Sequence, residues 1–485
     1  PTGNFGSAPG VWKIAEVEKY IKEGIWPVAT TGFQVQNSCR FDDGSGDNLS
    51  ASSFGTPTSA TTYTLSWWVK RANLGENTYL FGWYDGSRTN SGDILFDSND
   101  NLAMYHGSND GNGKLLQPTQ TFRDSSAWYH MVWSVDTTQS TASDRIKFYV
   151  NGSQVTDFST AVYPDQNAES KIFHDTNNRI GSQWNGTAST ALNGYLAEVV
   201  FIDGQALTPT SFGETDSTTN NWVPKDVSGL TFGNNGFHLP FQNASALGQD
   251  DSGNGNNFTV NNLTSIDQCV DTCTNNFSTL NALVKNNTGA TLTISEGNLQ
   301  SYSASTSVFG GFSSTLGVSS GKWYWEVKLV STTAGSFYTA VGVTSENYIN
   351  FVSSASRSTY MSGSGVASRG ETWQYKADNG NKQHDGTATA YGDSMTTGDI
   401  AGIALDLDNN YIYFSKNGTF QNAGDPTSGS SGTGAAFSLD AGLNYFPIID
   451  QYHTNTTAIN FGNAPYSISS GNTDYSGLGD FEYEV

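Results

Sequence analysis

The sequence predicts an all-β protein: two β-sandwiches preceded by a short N-terminal helix. Three observations carry this expectation. Charged residues are only 14% of the 485-residue chain, while aromatics reach 13% and glycine numbers 53, a composition suited to short strands joined by many turns. Runs that alternate apolar and polar residues, bounded by Gly, Asn and Asp, recur along nearly the whole length. Finally, "RIKFYVNG" (145–152) returns as "YIYFSKNG" (411–418), each an alternating run closing on Asn-Gly, the strongest short hairpin signal. A chain of this length exceeds one ordinary core, so a repeated hairpin in a new setting implies a repeated domain.

Residues 1–32 differ in texture from the rest. In "GVWKIAEVEKYIKEGIWP", Val11, Ile14, Val17 and Ile21 fall at helical steps, Gly24 suits a stop and Pro27 follows. A short amphipathic helix cannot bury its apolar stripe alone. Val11, Trp12, Ile14, Val17, Ile21 and Trp26 are therefore expected to anchor on the chain's own domain or on another protein. From 33 to 242 the chain reads as strand after strand, including "YTLSWWVKRA", "WYHMVWSVDTT" and "NGYLAEVVFIDGQAL". Residues 243–280 are polar and turn-rich, fit for a linker or an irregular strap. A second strand-rich block occupies 281–470, with "GKWYWEVKLV" and "GDIAGIALDLDNNYIYFSKNGTF", and 471–485 read as an extended tail.

Charge excludes some partners. Net charge is −23, from 45 acidic and 22 basic residues, and no Lys/Arg cluster offers a footprint for nucleic acid or an anionic membrane. No apolar run reaches the 18 or so residues of a membrane-spanning helix, so no membrane insertion is expected. Cys39, Cys269 and Cys273 are too sparse for a disulfide framework, and their C-x3-C pair lacks neighbouring histidines for zinc, so they read as unpaired structural thiols.

Catalytic chemistry is hard to find. Glycoside hydrolysis needs two carboxyls about 5–10 Å apart over a cleft. The nearest approaches are Glu16 with Glu18 on the expected helix, Asp480, Glu482 and Glu484 in the last residues, and Asp406 with Asp408 on one strand face. None suits an enclosed sugar site. The six histidines form no motif, and His130 reads as a satisfied sandwich histidine. No enzyme is expected.

Binding is better supported. Sugars stack on aromatic faces flanked by polar turn residues, and Trp83, Tyr84, Trp184, Trp373, Tyr375 and Tyr452 lie near expected loops. Aromatics at strand ends more often fill the core, which is the competing reading for each of them. The turn "FDDGSGDNLS" gathers Asp42, Asp43 and Asp47 around glycines, making Ca2+ the one cofactor worth weighing, although Asp also favours turns for its own sake.

Three resemblances follow from these strings. The order "WYHMVWSVDTT", "RIKFYVNG", "RIGSQWNG", "GYLAEVVFIDGQAL" resembles laminin-G-like (LamG) jelly rolls of the concanavalin A-like kind. Such domains often hold calcium between rim loops, which adds Asp93 to the candidate ligands. The order "SGKWYWEVKL", "AVGVTS", "GDIAGIALDLDNNYIYFSKNG", "AINFG" resembles the SPRY fold. The string "GYLAEVVFIDGQALTPTSFGE" with "WVPKDVSGLTFGNNGFHLPFQN", then "DTCTNNF", and the leading helix, look like structural proteins of tailed phages of aquatic bacteria, with Cys273 where Pro is expected in that last element. That last resemblance implies a virion protein on the particle surface, a tail fibre or other appendage recognising a host-surface glycan or protein. It also implies contact with other virion proteins through the N-terminal segment, and a homo-oligomer such as a trimer. The alternative is a capsid or tail decoration protein with a purely architectural role.

Overall fold

The computed structural model describes residues 32–52, 54–84, 91–106, 114–174, 177–183, 191–287, 292–304, 310–333, 338–347, 371–384, 386–475 and 477–484. The expected N-terminal helix, with Val11, Trp12, Ile14, Val17, Ile21 and Trp26, lies outside the described residues. What is described is all-β, with short 3-10 turns between antiparallel strands.

The first sandwich is built of two eight-stranded sheets. One runs Ser153–Gln154, Ile146–Val150, Trp128–Asp136, Thr62–Arg71, Gly194–Asp203, Ser38–Phe41, Gln268–Cys269, with Phe237–Leu239 also paired to Gly194–Asp203. The other runs Phe158–Ala161, Lys114–Pro118, Leu102–His106, Gly92–Phe96, Thr78–Tyr84, Asn177–Ile180, Asn48–Ala51, Thr259–Asn261. Alternation decides the facing: Ile146, Phe148 and Val150 point inward while Lys147 and Tyr149 stay half-buried. Trp133 stacks on Phe148 at 4.5 Å in that core.

The segment expected as a linker or strap is woven into this sandwich. Thr259–Asn261 pairs with Asn48–Ala51 in one sheet, and Gln268–Cys269 pairs with Ser38–Phe41 in the other. Strands of three and two residues are too short to show a period, so the sequence displays only their turns.

The second sandwich repeats the plan with seven and eight strands. One sheet runs Leu280–Asn287, Gly310–Ser314, Tyr445–Gln451, Thr339–Ser345, Thr372–Lys376, Asn381–His384, Thr387–Ala390. The other centres on Lys322–Thr332 between Asn455–Asn460 and Ile400–Asp406, the latter pairing with Tyr411–Lys416. The tail is not free: Asn472–Thr473 and Asp480–Phe481 form a small hairpin, and the backbone N–H groups of Glu482 and Tyr483 donate to the buried Glu326 carboxylate at 3.1 and 2.9 Å.

The repeated hairpin is the same device in both copies. Asn151 and Gly152 have φ of 46° and 80°, and Asn417 and Gly418 have 48° and 77°, the positive values that a two-residue turn between twisted strands requires. In each copy the Asn side chain accepts a 2.8 Å hydrogen bond from the neighbouring strand, from His130 N and from Ile400 N. In each, an aromatic ring lies where a β-carbon on the glycine would go, Trp222 on Gly152 and Tyr483 on Gly418.

A polar seam joins the sandwiches. Glu296 N donates to Asp42 Oδ1 at 3.0 Å, Gly297 N to Asn193 Oδ1 at 3.2 Å, and Tyr195 Oη to Gly297 O at 2.9 Å. Arg40, buried, faces Asp267 at 3.2 Å and Glu296 at 3.4 Å. Beside it the Lys70 ammonium spends three donors on Asp271 Oδ2, Asn276 Oδ1 and Phe277 O, at 2.8, 2.8 and 2.7 Å.

Candidate functional site

The structure sorts the expected ligand contacts by burial. Trp83, Trp373 and Tyr375 are 1%, 3% and 0% exposed, so these three are core residues and not rim contacts. Trp83 packs in the first core. Trp373 stacks on His384 and meets Tyr445 edge-on, and Tyr375 stacks on Phe414 while donating its hydroxyl to Asp393 O. Each sits on a strand whose facing is set by its partner across the sheet, information that flanking turn residues do not carry. Trp184 lies outside the described residues. Tyr84 is half-buried at the end of Thr78–Tyr84.

Tyr452 is placed differently. It lies half-buried in the turn between Tyr445–Gln451 and Asn455–Asn460, beside His453 at 4.1 Å between ring centres. Tyr338, at the start of the strand Thr339–Ser345, completes the group, 5.8 Å from Tyr452 and 4.8 Å from His453. The base of this turn is held by a buried polar network. Gln451 Nε2 donates to Asn455 Oδ1 at 2.5 Å, Asn455 Nδ2 donates to Tyr452 O at 2.9 Å, and Ser301 Oγ donates to Gln451 Oε1. His453 holds φ of 65°, a left-handed backbone that turns its ring beside the tyrosines. The strand Asn455–Asn460 leads from this turn back to Asn463 and Ala464 at the seam, so the rings stand at the end of the second sandwich remote from the first. The sequence reading missed Tyr338; its signal is an aromatic between a Gly/Ser stretch and an alternating run, "GSFYTAVG".

The acidic turn serves the seam. Asp42 accepts from Glu296 N and Ser45 N, Asp43 from Asn73 Nδ2 and Asn193 Nδ2, and Asp47 from Asp42 N and Ser45 Oγ. Each of these carboxylate oxygens is thus engaged by a protein donor. Asp93 sits elsewhere, half-buried opposite Gly82 and Tyr105 on the second sheet of the first sandwich. There burial first, and then Asp93 and Tyr105, push the Tyr79 phenol up to about 12. Among the described residues no three His, Cys, Asp or Glu side chains converge as a metal centre would need.

Groups that could pass for catalytic ones are tied down. His130 lies between Ser66 Oγ, 2.9 Å from Nε2, and Trp222, whose Nε1–H donates to Nδ1 at 2.9 Å. Since indole can only donate, Nδ1 is the acceptor, and in the neutral ring Nε2 carries the hydrogen and donates to Ser66. A general base needs the opposite tautomer. Burial pushes His130 down to about 3, so the ring stays neutral. Asp406 and Asp408 do not share a strand face: the strand ends at Asp406, which accepts from Asn409, while Asp408 accepts from Gly321 N. Glu482, in the tail, accepts from Ser469.

Comparison with known proteins agrees with this geometry. Residues 43–211 match the Laminin_G_3 model of the concanavalin A-like lectin/glucanases superfamily, and residues 322–464 match the SPRY domain model. The chain carries a LamG-like domain followed by a SPRY domain. A solved structure, the SPRY domain of human HERC1, is similar at 22% identity over 37% of this chain and 96% of its own, with a TM-score of 0.28. A search of curated proteins finds no match. LamG-like and SPRY domains are β-sandwiches of the carbohydrate- and protein-binding kind, with which a binding role is consistent.

Proposed function

We propose that this chain is a non-enzymatic binding protein of a tailed-phage particle, a tail fibre or similar appendage that holds a host-surface glycan through its β-sandwiches. The observation that carries the binding half of the proposal is the ring group Tyr338, Tyr452 and His453, half-buried at the remote end of the SPRY domain. Rings held in one place by a buried polar network offer a sugar a stacking face at little ordering cost. The virion half rests on the resemblance of residues 194–243, of "DTCTNNF" (271–277) and of the leading helical segment to phage structural proteins. On that reading the N-terminal segment meets other virion proteins and the SPRY end points outward.

The test is binding of the purified chain to a glycan array and to whole host-type cells, with calcium and with EDTA. Tyr452→Ala and Tyr338→Ala are expected to weaken binding by about tenfold each while leaving thermal unfolding in place. Binding that ignores both substitutions would remove this site from the proposal. A second reading, a decoration protein with an architectural role, draws on the seam, which fixes the two sandwiches as one spacer. It expects no binding from any arm of the experiment.

A further inference from the structure

Every open sheet must end somewhere, and exposed edge strands invite pairing with another chain unless they are short, bulged or charged. Most edges of this molecule are blunted in one of those ways. Ser153–Gln154, Gln268–Cys269 and Thr419–Phe420 are two residues long. Phe158–Ala161 and Leu280–Asn287 shift register against their neighbours; Leu292–Ser295 is paired in unbroken register but turns Leu292 into the core and leaves only Thr293 exposed. Thr387–Ala390 is different. It pairs with Asn381–His384 in unbroken register over all four residues, its sequence is Thr-Ala-Thr-Ala, and all four are exposed.

We infer that Thr387–Ala390 is a self-pairing edge, through which two copies of this chain join their seven-stranded SPRY sheets antiparallel about a twofold axis. The choice of a second copy as occupant comes from the alternation. Residues directly opposite in an antiparallel pair share a face, so the strand laid against itself sets Thr on Thr along one face and Ala on Ala along the other. Two of the four residues, two apart, direct their N–H and C=O groups outward, and pairing each with the other's copy exchanges four hydrogen bonds around a central Thr389–Thr389 contact. Neutrality matters equally in a chain of net charge −23: an uncharged strip lets two acidic molecules approach.

The experiment is sedimentation of the full chain over a concentration series. Wild type is expected to pass from monomer to dimer as concentration rises. Thr389→Lys places two like charges across the axis and is expected to weaken association by about tenfold or more. Ala388→Lys is expected to act the same way, and Ser153→Lys, on an exposed two-residue edge of the other domain, is expected to change nothing. Since Thr389 is exposed, thermal unfolding of the variant should match wild type and certify its fold. A wild-type chain that stays monomeric up to about 1 mM, or a dimer indifferent to both lysines, overturns the inference.

Discussion

The two sandwiches bury their acids differently. In the LamG-like domain, three buried carboxylates meet buried cations: Asp271 faces Lys70 at 2.8 Å, Asp100 faces Arg71 at 3.1 Å and Asp267 faces Arg40 at 3.2 Å. In the SPRY domain, Asp450 and Glu326 are each 0% exposed, and their hydrogen bonds come from neutral donors. Gln374 Nε2 serves Asp450 at 2.6 Å, while backbone N–H groups, Asn460 and Tyr324 serve Glu326. A cation offsets much of the cost of burying a charge, whereas neutral donors offset less, so the second arrangement favours the protonated acid. Burial pushes Asp450 up to about 7 and raises Glu326 as well. One fold plan, used twice, thus matches these three acids with cations in one domain and these two with neutral donors in the other.

The largest expected effect breaks the first half of this comparison. Asp271→Ala strands the Lys70 ammonium and removes an acceptor from Trp128 Nε1, and is expected to cost about 4 kcal/mol, read as an earlier LamG-domain transition in urea. Replacing Lys70 by Met together with Asp271 by Leu should recover much of that loss.

The next sharpens the second half. Asp450 has a folded value of about 7, above the ordinary carboxylate value that the unfolded chain keeps. Its contribution is therefore complete below about pH 4 and disappears as pH rises through 7. Asp450→Asn is expected to flatten that slope and to stabilise the SPRY domain at pH 8 by roughly 2–3 kcal/mol, measured by urea midpoints from pH 4 to 8. An unchanged slope would remove Asp450 from the account.

Smaller effects test the hairpins. Gly152→Ala drives a β-carbon into Trp222 at a positive φ and is expected to cost about 2 kcal/mol. Gly418→Ala meets Tyr483 at 2.7 Å, against 2.5 Å for Trp222 at Gly152, and should cost about 1 kcal/mol in its own domain. Asn151→Ala and Asn417→Ala each remove one hydrogen bond to a strand backbone and should cost about 1 kcal/mol or less, equally in the two domains.

How legible all this is depends on range. Both Asn-Gly hairpins are plain in the sequence because strand, turn and returning strand are neighbours in the chain. The cover over each hairpin is not. Lys147 and Tyr149 stay half-buried while the matching Tyr413 and Ser415 are 0% and 1% exposed, and nothing local distinguishes the pairs. The candidate site divides in the same way. Tyr452 is legible as a turn aromatic, but Trp83, Trp373 and Tyr375 look alike in sequence and lie in the core, since facing is decided by distant partners. Asp42 is legible as a turn acid, yet its acceptor role is set by Glu296, 254 residues away.

The strap that closes the first sandwich also bears on biosynthesis. A nascent chain that has delivered the long strand Gly194–Asp203 still lacks Thr259–Asn261 and Gln268–Cys269, and Lys70 still lacks Asp271, Asn276 and Phe277. Until those residues leave the ribosome, the LamG-like domain carries two open edges and an unmatched ammonium on a face destined for burial. Its completion therefore coincides with the emergence of the first SPRY strand, Leu280–Asn287, and not with the end of its own strand-rich stretch. An expression fragment cut near Ala246 would stop the protein in that unfinished state, and one extended past Asn298 would carry the partners for the ammonium and the Glu296 and Gly297 contacts of the seam.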